Sequence, residues 1–165
     1  YLLWKIGIQG PGWLTDYDWV IPSLMIVALW GGAGGTRMLI FLAGLQGVPE
    51  ELYEAAEIDG ANWWQKTIHI TVPLLSPVTL YLFVTGIIGA LQVYDLIMVM
   101  TIDPRGGPLG STTTIVYSIY QNATMYHRMG YASALAWVLF IIIMFFTLIT
   151  LKWSQAWVFY AGERQ

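Results

Sequence analysis

The stretch from Ala134 to Leu151 contains no charged residue, and its only hydroxyl side chains are those of Thr147 and Thr150. An α-helix rises about 1.5 Å per residue, so a stretch of this length reaches across most of a bilayer's hydrocarbon core, which is about 30 Å thick. A helix at the surface of a soluble protein would need a polar face, which this stretch lacks. The sequence therefore predicts a membrane-spanning helix over about 131–153.

Two further long apolar runs, at about 19–45 and 73–100, predict two more spans. The chain of 165 residues is 57% hydrophobic and only 10% charged, whereas a soluble domain carries about 25% charged residues. So few charges do not cover a water-facing surface. We therefore expect an all-α, polytopic transmembrane protein with about three spans, forming a single transmembrane domain over residues 1–165.

Polar segments separate the three predicted spans. Glycine and proline predict a loop over residues 1–18, and the run from Asp103 to Pro108 predicts a turn. A short helix is expected within 111–126.

The loop at 47–72 has the start and stop signals of two short helices. Pro49 suits the first position of a helix, and Glu50 and Glu51 suit its positive N-terminal end. Gly60 is free to adopt a positive φ and so to end that helix. Asn62 can cap a second helix that continues to about residue 68. The sequence predicts a compact, protruding knuckle with its reversal at Gly60.

The order of residues in this loop is distinctive. Glu54-Ala55-Ala56 is followed after three residues by Gly60, and after nine more by Ile70 and then Val72-Pro73. The pattern resembles the E-A-A loop of the membrane permeases of bacterial ABC importers, with Val72 where that family usually has leucine. The resemblance implies that the loop lies in the cytoplasm as a coupling helix and docks on a separate ATPase. The docking residues would be Glu54, Ala55, Ala56, Asp59 and Gly60.

The resemblance extends over most of residues 19–160 and points to the binding-protein-dependent carbohydrate-uptake branch of these permeases. It is carried by four further segments: 42–46 (L-A-G-L-Q), 57–61 (E-I-D-G-A), 106–108 (G-G-P) and 130–134 (G-Y-A-S-A). Residues 102–105 depart from it, because fewer residues usually precede the two glycines. Family members usually have about six spans, so we interpret this chain as the C-terminal part of a longer polypeptide.

The resemblance implies a function and a set of partners. The chain would be a multi-pass permease subunit in a bacterial inner membrane, importing a sugar, an oligosaccharide or a polyol derivative. It would work with ATPase subunits, a second permease subunit, an extracytoplasmic solute-binding protein and the surrounding lipid. The alternatives are a permease for another solute, and a membrane scaffold or channel without ATPase coupling.

Other chemistries find little support in the sequence. The chain has no cysteine and no G-x4-G-K-[ST] phosphate-binding loop, so no thiolate metal site is possible and ATP with its Mg²⁺ belongs on the ATPase. His69 and His127 lie in different loops without a catalytic motif. The acidic residues of 50–59 lack the spacing of an EF-hand. We expect neither an enzyme nor a metal site, and no basic stripe suggests nucleic-acid binding.

Polar and aromatic residues within the spans are candidates for a substrate path, because amides, carboxylates and aromatic rings suit hydroxyl-rich solutes. They are Gln92, Tyr94 and Asp95 on the second span, and Trp30 on the first, where Gln46 also lies. On one continuous helix, Gln92 and Asp95 would share a face. Asp95 is near the end of its span, so an interfacial role is equally open.

The first span also carries Gly31 and Gly35, a G-x-x-x-G pair that lets another helix approach closely or makes the helix bendable. Arg37 follows, and it either faces protein, water or a counter-charge, or extends to the near interface.

Basic residues do not decide the orientation, because each side of the predicted topology holds three: Lys66, Lys152 and Arg164 on the side of the E-A-A loop, and Lys5, Arg105 and Arg128 on the other. Only the resemblance places the E-A-A loop in the cytoplasm.

Overall fold

A computed structural model describes residues 12–33, 35–101 and 106–159. Every regular element in these three ranges is helical. Several predictions lie outside them: the loop over residues 1–11, Gly34, the turn residues 102–105 and the tail 160–165.

The helices follow the predicted order. They are α1 Tyr17–Ala33, α2 Thr36–Gln46, α3 Glu50–Ile58, α4 Trp63–Lys66, α5 Val72–Leu74, α6 Ser76–Leu91, α7 Asp95–Met100, α8 Ile115–Tyr120 and α9 Met129–Ser154. Two π-helical turns, Thr67–Thr71 and Gln121–Met125, extend α4 and α8, and Pro108–Gly110 forms a 3₁₀ turn.

Within the described residues, two helical segments are long and apolar enough to cross a membrane by themselves. One is Tyr17–Gln46, which joins α1 and α2 over 30 residues, and the other is α9 with 26 residues. A third span arises if Trp63–Leu74 and α6, which are bent by 60° relative to each other, are counted together. The all-α, polytopic fold class is therefore confirmed, with two or three spans.

The second predicted span differs from the observed structure. Sequence predicts one helix over 73–100, but α6 ends at Leu91 and α7 begins at Asp95. The hydroxyl of Thr114 donates to the carbonyl of Val93 at 2.8 Å, so this loop contact replaces part of the helical ladder. Tyr94, at φ −138° and ψ −54°, is not helical. The break depends on a residue 21 positions away, which periodicity within the run does not reveal.

The chain divides into two compact units. One comprises residues 1–31 and 89–142, and the other comprises 32–88 and 143–165. In the first unit, four buried side chains form a hydrophobic cluster: Val20, Leu24, Ile97 and Tyr117.

The second unit holds the loop at 47–72, which we call the coupling loop because of its resemblance to the E-A-A loop. In this unit α2 packs closely against the start of α6 at Gly44. A Cβ atom at Gly44 would lie 3.0 Å from Leu75 Cδ2 and 3.0 Å from Val78 Cγ2. The close approach, and not the backbone conformation, therefore restricts a side chain at this position.

This close packing predicts different effects for two glycine substitutions. Gly89→Ala should stabilise the protein by about 0.5–1 kcal/mol, because alanine favours helix and nothing lies within 4 Å of the added methyl group. Gly44→Ala should lose that gain or destabilise the protein, because Leu75 and Val78 must move. Thermal unfolding of the two variants in detergent measures the difference, and an equal gain at both positions would contradict the packing at Gly44.

Candidate coupling site

The first arm of the coupling loop is α3. Pro49 precedes the helix at its N-cap, with φ −60° and ψ 130°, and so lies one position before the predicted one. Glu50 and Glu51 occupy the first turn, where the helix dipole favours negative charge. No residue of α3 is buried, so a partner could reach the arm.

Gly60 reverses the chain after α3. Its φ is +74°, as the sequence predicts. The N–H of Ala61 donates to the carbonyl of Ala56 at 2.9 Å, and the N–H of Gly60 donates to the carbonyl of Glu57 at 3.0 Å. These two bonds form a Schellman motif, which satisfies the last carbonyls of the helix. Nothing lies within 4 Å of a Cβ atom placed on Gly60, so only the backbone conformation restricts this position.

Asn62 begins the second arm and caps it as predicted. Its side-chain oxygen accepts from the N–H of Gln65 at 2.9 Å, and the Gln65 side chain accepts from the N–H of Asn62 at 2.8 Å. This reciprocal capping box fixes the first turn of α4. The arm continues through the π-helical turn to Thr71, beyond the predicted end at about residue 68.

Two contacts join the arms. Lys66 Nζ lies 2.6 Å from Glu57 Oε1, and the hydroxyls of Tyr53 and Thr71 are 2.8 Å apart. Lys66 lowers the pKa of Glu57, mainly through its hydrogen bond to the carboxylate and secondly through its positive charge. Sequence reasoning missed these contacts, because both join residues on opposite sides of the Gly60 reversal and no helical periodicity relates them.

The residues predicted to dock on an ATPase form one accessible region. Glu54, Ala55, Asp59 and Gly60 are exposed, and Ala56 is partly buried. Large apolar side chains border them, with Ile58 87% exposed and Trp63 and Trp64 each 65% exposed. We call Glu54, Ala55, Ile58, Asp59 and Gly60 the coupling face. The signal for Ile58 was available in the sequence: a large apolar residue between two acidic residues, directly before the predicted reversal.

Three of the four predicted substrate-path residues, Gln92, Tyr94 and Asp95, lie at the break between α6 and α7. The Tyr94 ring centre is 5.0 Å from that of Tyr120 and 6.2 Å from that of Tyr117. Gln92 and Asp95 are exposed. The expectation that they share one helix face is wrong, because the break at Gln92–Tyr94 places them on different elements.

Trp30 lies on α1 and is 86% exposed. No ring contact or hydrogen bond joins it to the other three path residues within the described part of the chain. Gln46 ends α2. The rings of Tyr94, Tyr117 and Tyr120 thus lie close together, and Trp30 makes no ring contact with them in the described part of the chain.

Arg37 points away from the end of its span that leads into the coupling loop. Its Nη1 atom lies 3.4 Å from the position of a Cβ on Gly32, and Nη2 lies 3.8 Å from that position on Gly86. Helical side chains tilt toward the N-terminus, which carries the guanidinium back along the span. The structure therefore favours a protein-facing or water-facing Arg37 over one that extends to the near interface. No carboxylate of the described residues lies within 4 Å of it.

In the described ranges, no group of three or more His, Asp or Glu side chains is arranged to hold a metal ion. His69 Nδ1 lies 3.1 Å from the carbonyl of Gln65 on its own helical arm.

Comparison with known proteins places this geometry in a family. Residues 1–159 match the family described as binding-protein-dependent transport system inner membrane component. The arabinooligosaccharides transport system permease protein AraP of Bacillus subtilis is 40% identical over 153 residues, which cover 93% of this chain and 48% of AraP. The lactose transport system permease protein LacF of Rhizobium radiobacter is 35% identical, covering 86% of this chain and 48% of LacF.

A further relative and a solved structure also match this chain. The trehalose/maltose transport system permease protein MalF of Thermococcus litoralis is 36% identical, and the match covers 92% of this chain and 50% of MalF. A crystal structure of a bacterial ABC transporter that imports the acidic polysaccharide alginate matches with a TM-score of 0.78 and 25% identity, covering 94% of this chain and 53% of that one. The chain spans about half the length of the curated relatives it matches. It belongs to the family of binding-protein-dependent transport system inner membrane components.

Proposed function

We propose that this chain forms part of the permease subunit of an ATP-driven importer, through which a sugar, oligosaccharide or polyol derivative crosses a bacterial inner membrane. The observation that carries the proposal is the coupling face, which is presented by α3 and the reversal at Gly60 and is followed by the capped helix α4. Relatives named as permeases for arabinooligosaccharides, lactose and trehalose/maltose support the solute class.

The chemistry of the coupling face suits a separate ATPase. Glu54 and Asp59 offer exposed carboxylates to a basic groove, and Ala55 and Gly60 leave a low surface that a partner can approach closely. Ile58, at 87% exposed, supplies an apolar anchor, and such anchors in pockets contribute much of the energy of an interface. The chain has no phosphate-binding loop of its own, so ATP and Mg²⁺ would bind to the partner.

The joined arms would transmit movement as one body. The Glu57–Lys66 ion pair and the Tyr53–Thr71 hydrogen bond hold the arms together, so a displacement of α3 also displaces the segment that leads into α6. ATP-driven closure of two ATPase copies would thereby tilt the attached spans of this chain and of a second permease subunit. The central path would open alternately to an extracytoplasmic solute-binding protein and to the cytoplasm.

The substrate path would include Gln92, Tyr94, Asp95 and Trp30. Aromatic faces pack on the apolar faces of sugar rings. Amides donate hydrogen bonds to hydroxyl groups and accept them, while carboxylates accept them. Gln92 and Asp95 flank a helix break, and non-helical backbone at membrane depth is tolerated where it lines a water-filled cavity or is enclosed by protein.

Sugar uptake by the full-length protein tests the proposal. The protein would be reconstituted in liposomes with its ATPase, its second permease subunit and its solute-binding protein, and radiolabelled oligosaccharides would be offered with and without ATP. We expect saturable uptake that requires ATP and the binding protein. ATP-dependent uptake of only a non-carbohydrate solute would favour the permease for another solute. Passive uptake without an associated ATPase would favour a channel.

The reversal at Gly60 gives a sharper prediction for the joint. Gly60→Val should abolish transport while the protein still reaches the membrane, because a left-handed conformation costs an L-residue about 1–2 kcal/mol and more when it is β-branched. Gly60→Asn is the matched control, since asparagine tolerates this conformation and the space around the position is open. The measurement is uptake per molecule of assembled complex. Normal transport by the valine variant would show that the joint does not need a positive φ.

A further inference from the structure

The bend between the coupling loop and α6 lies between two prolines. Trp63–Leu74 and Ser76–Leu91 meet at 60°. In an uninterrupted helix the carbonyl of Pro73 would accept from the N–H of residue 77, but that residue is Pro77 and has no N–H. The helical ladder is therefore broken at the point where the loop passes into the span.

The hydroxyl of Ser76 supplies a donor at this break. It donates to the carbonyl of Pro73 at 2.6 Å, and the side chain is only 5% exposed. A backbone N–H at the end of α5 also reaches this carbonyl. A serine hydroxyl has one donor and two acceptor lone pairs, so it can still accept a hydrogen bond from another part of the chain.

That second bond comes from the segment after α9. The backbone N–H of Phe159 donates to Ser76 Oγ at 2.8 Å, across 83 positions of sequence. A turn after α9 precedes it, in which the N–H groups of Trp157 and Val158 donate to the carbonyl of Ser154 at 3.1 and 2.9 Å. Ser76 is buried and Phe159 is 47% exposed, so the bond between them is partly buried.

Other hydroxyls on α6 behave differently. Thr79 donates to the carbonyl of Leu75 at 3.0 Å, and Thr85 donates to that of Tyr81 at 2.8 Å, four residues back in each case. Both side chains only bond within their own segment. Ser76 alone among these three hydroxyls connects α6 to a distant part of the chain.

We propose that Ser76 is a positioning residue for energy coupling. Its two hydrogen bonds tie the segment 155–159, which we call the tail brace, to the bend. The bend, the coupling loop and the end of α9 then move together when the ATPase displaces the coupling face. Without the brace, the bend flexes, and ATP is hydrolysed with less solute moved. The inference rests on the proposed function, because it concerns the efficiency of ATP-driven import.

Two substitutions remove the hydrogen bond between Phe159 and Ser76, one by deleting the acceptor and the other by deleting the donor. Ser76→Ala removes the acceptor hydroxyl, and Phe159→Pro removes the donor N–H and leaves Ser76 in place. Each has a matched control: Thr79→Val removes a hydroxyl that bonds only within its segment, and Phe159→Ala keeps the N–H while removing the ring. The complete importer, with ATPase and binding protein, is reconstituted for each variant.

The readout is the number of solute molecules imported per ATP hydrolysed. Ser76→Ala and Phe159→Pro should each lower this ratio about fivefold, as the loss of one hydrogen bond can. The double variant should be no worse than either single variant, because all three lack the same bond. The controls should remain within about twofold of the unsubstituted importer.

Unchanged ratios in Ser76→Ala and Phe159→Pro would overturn the proposal. So would an equal fall in uptake and in ATP hydrolysis, because that pattern indicates a purely structural role. Amide hydrogen exchange at Phe159 checks the bond without any transport, and exchange should be faster in Ser76→Ala than in Thr79→Val. If the unsubstituted complex imports no carbohydrate, the proposed function fails while the exchange result still decides whether the brace exists.

Discussion

The positive φ of Gly60 is the constraint on which the coupling loop depends. At this position the chain must turn back within two residues while the last carbonyls of α3 remain satisfied, and the bonds from Gly60 and Ala61 achieve both. The reversal brings Lys66 to Glu57 and Thr71 to Tyr53, so the two arms of the loop are joined by an ion pair and a hydrogen bond. Short helices are marginal in isolation, and here their caps and mutual contacts stabilise them.

From this element a continuous series of contacts leads into the membrane span. The second arm runs through Thr71 into α5, and the chain then bends by 60° at the two prolines. Ser76 lies at the bend, bonded both to Pro73 and to Phe159. Gly44 lets α2 pack closely against the same region, so the coupling loop is supported where it enters α6.

Local signals predicted much of this structure. Long apolar runs identified the spans at Tyr17–Gln46 and Met129–Ser154. Single residues with strong backbone preferences identified the reversal at Gly60 and the cap at Asn62. Contacts between residues far apart in sequence were not predictable. Thr114 interrupts the second span through Val93, 21 positions away, and Phe159 reaches Ser76 across 83.

The candidate sites divide in the same way. Glu54, Ala55, Asp59 and Gly60 of the coupling face were predicted from a spacing that resembles a known loop, whereas Ile58 was not among the predicted docking residues. The prediction that Gln92 and Asp95 share one helix face was wrong, because it assumed a continuous helix where the structure has a break. The direction of Arg37 required the positions of Gly32 and Gly86, which flank its guanidinium.

Cross-linking from single cysteines tests the central claim that the coupling face binds the ATPase, and the chain has no cysteine to interfere. Ile58→Cys lies on the coupling face. Leu109→Cys is the control, because Leu109 is 90% exposed and its segment is predicted to lie on the opposite side of the membrane. With a short bifunctional maleimide and the complete importer, Ile58→Cys should form a covalent adduct with the ATPase and Leu109→Cys should not. An adduct from Leu109→Cys, or none from Ile58→Cys in an assembled complex, would contradict the account.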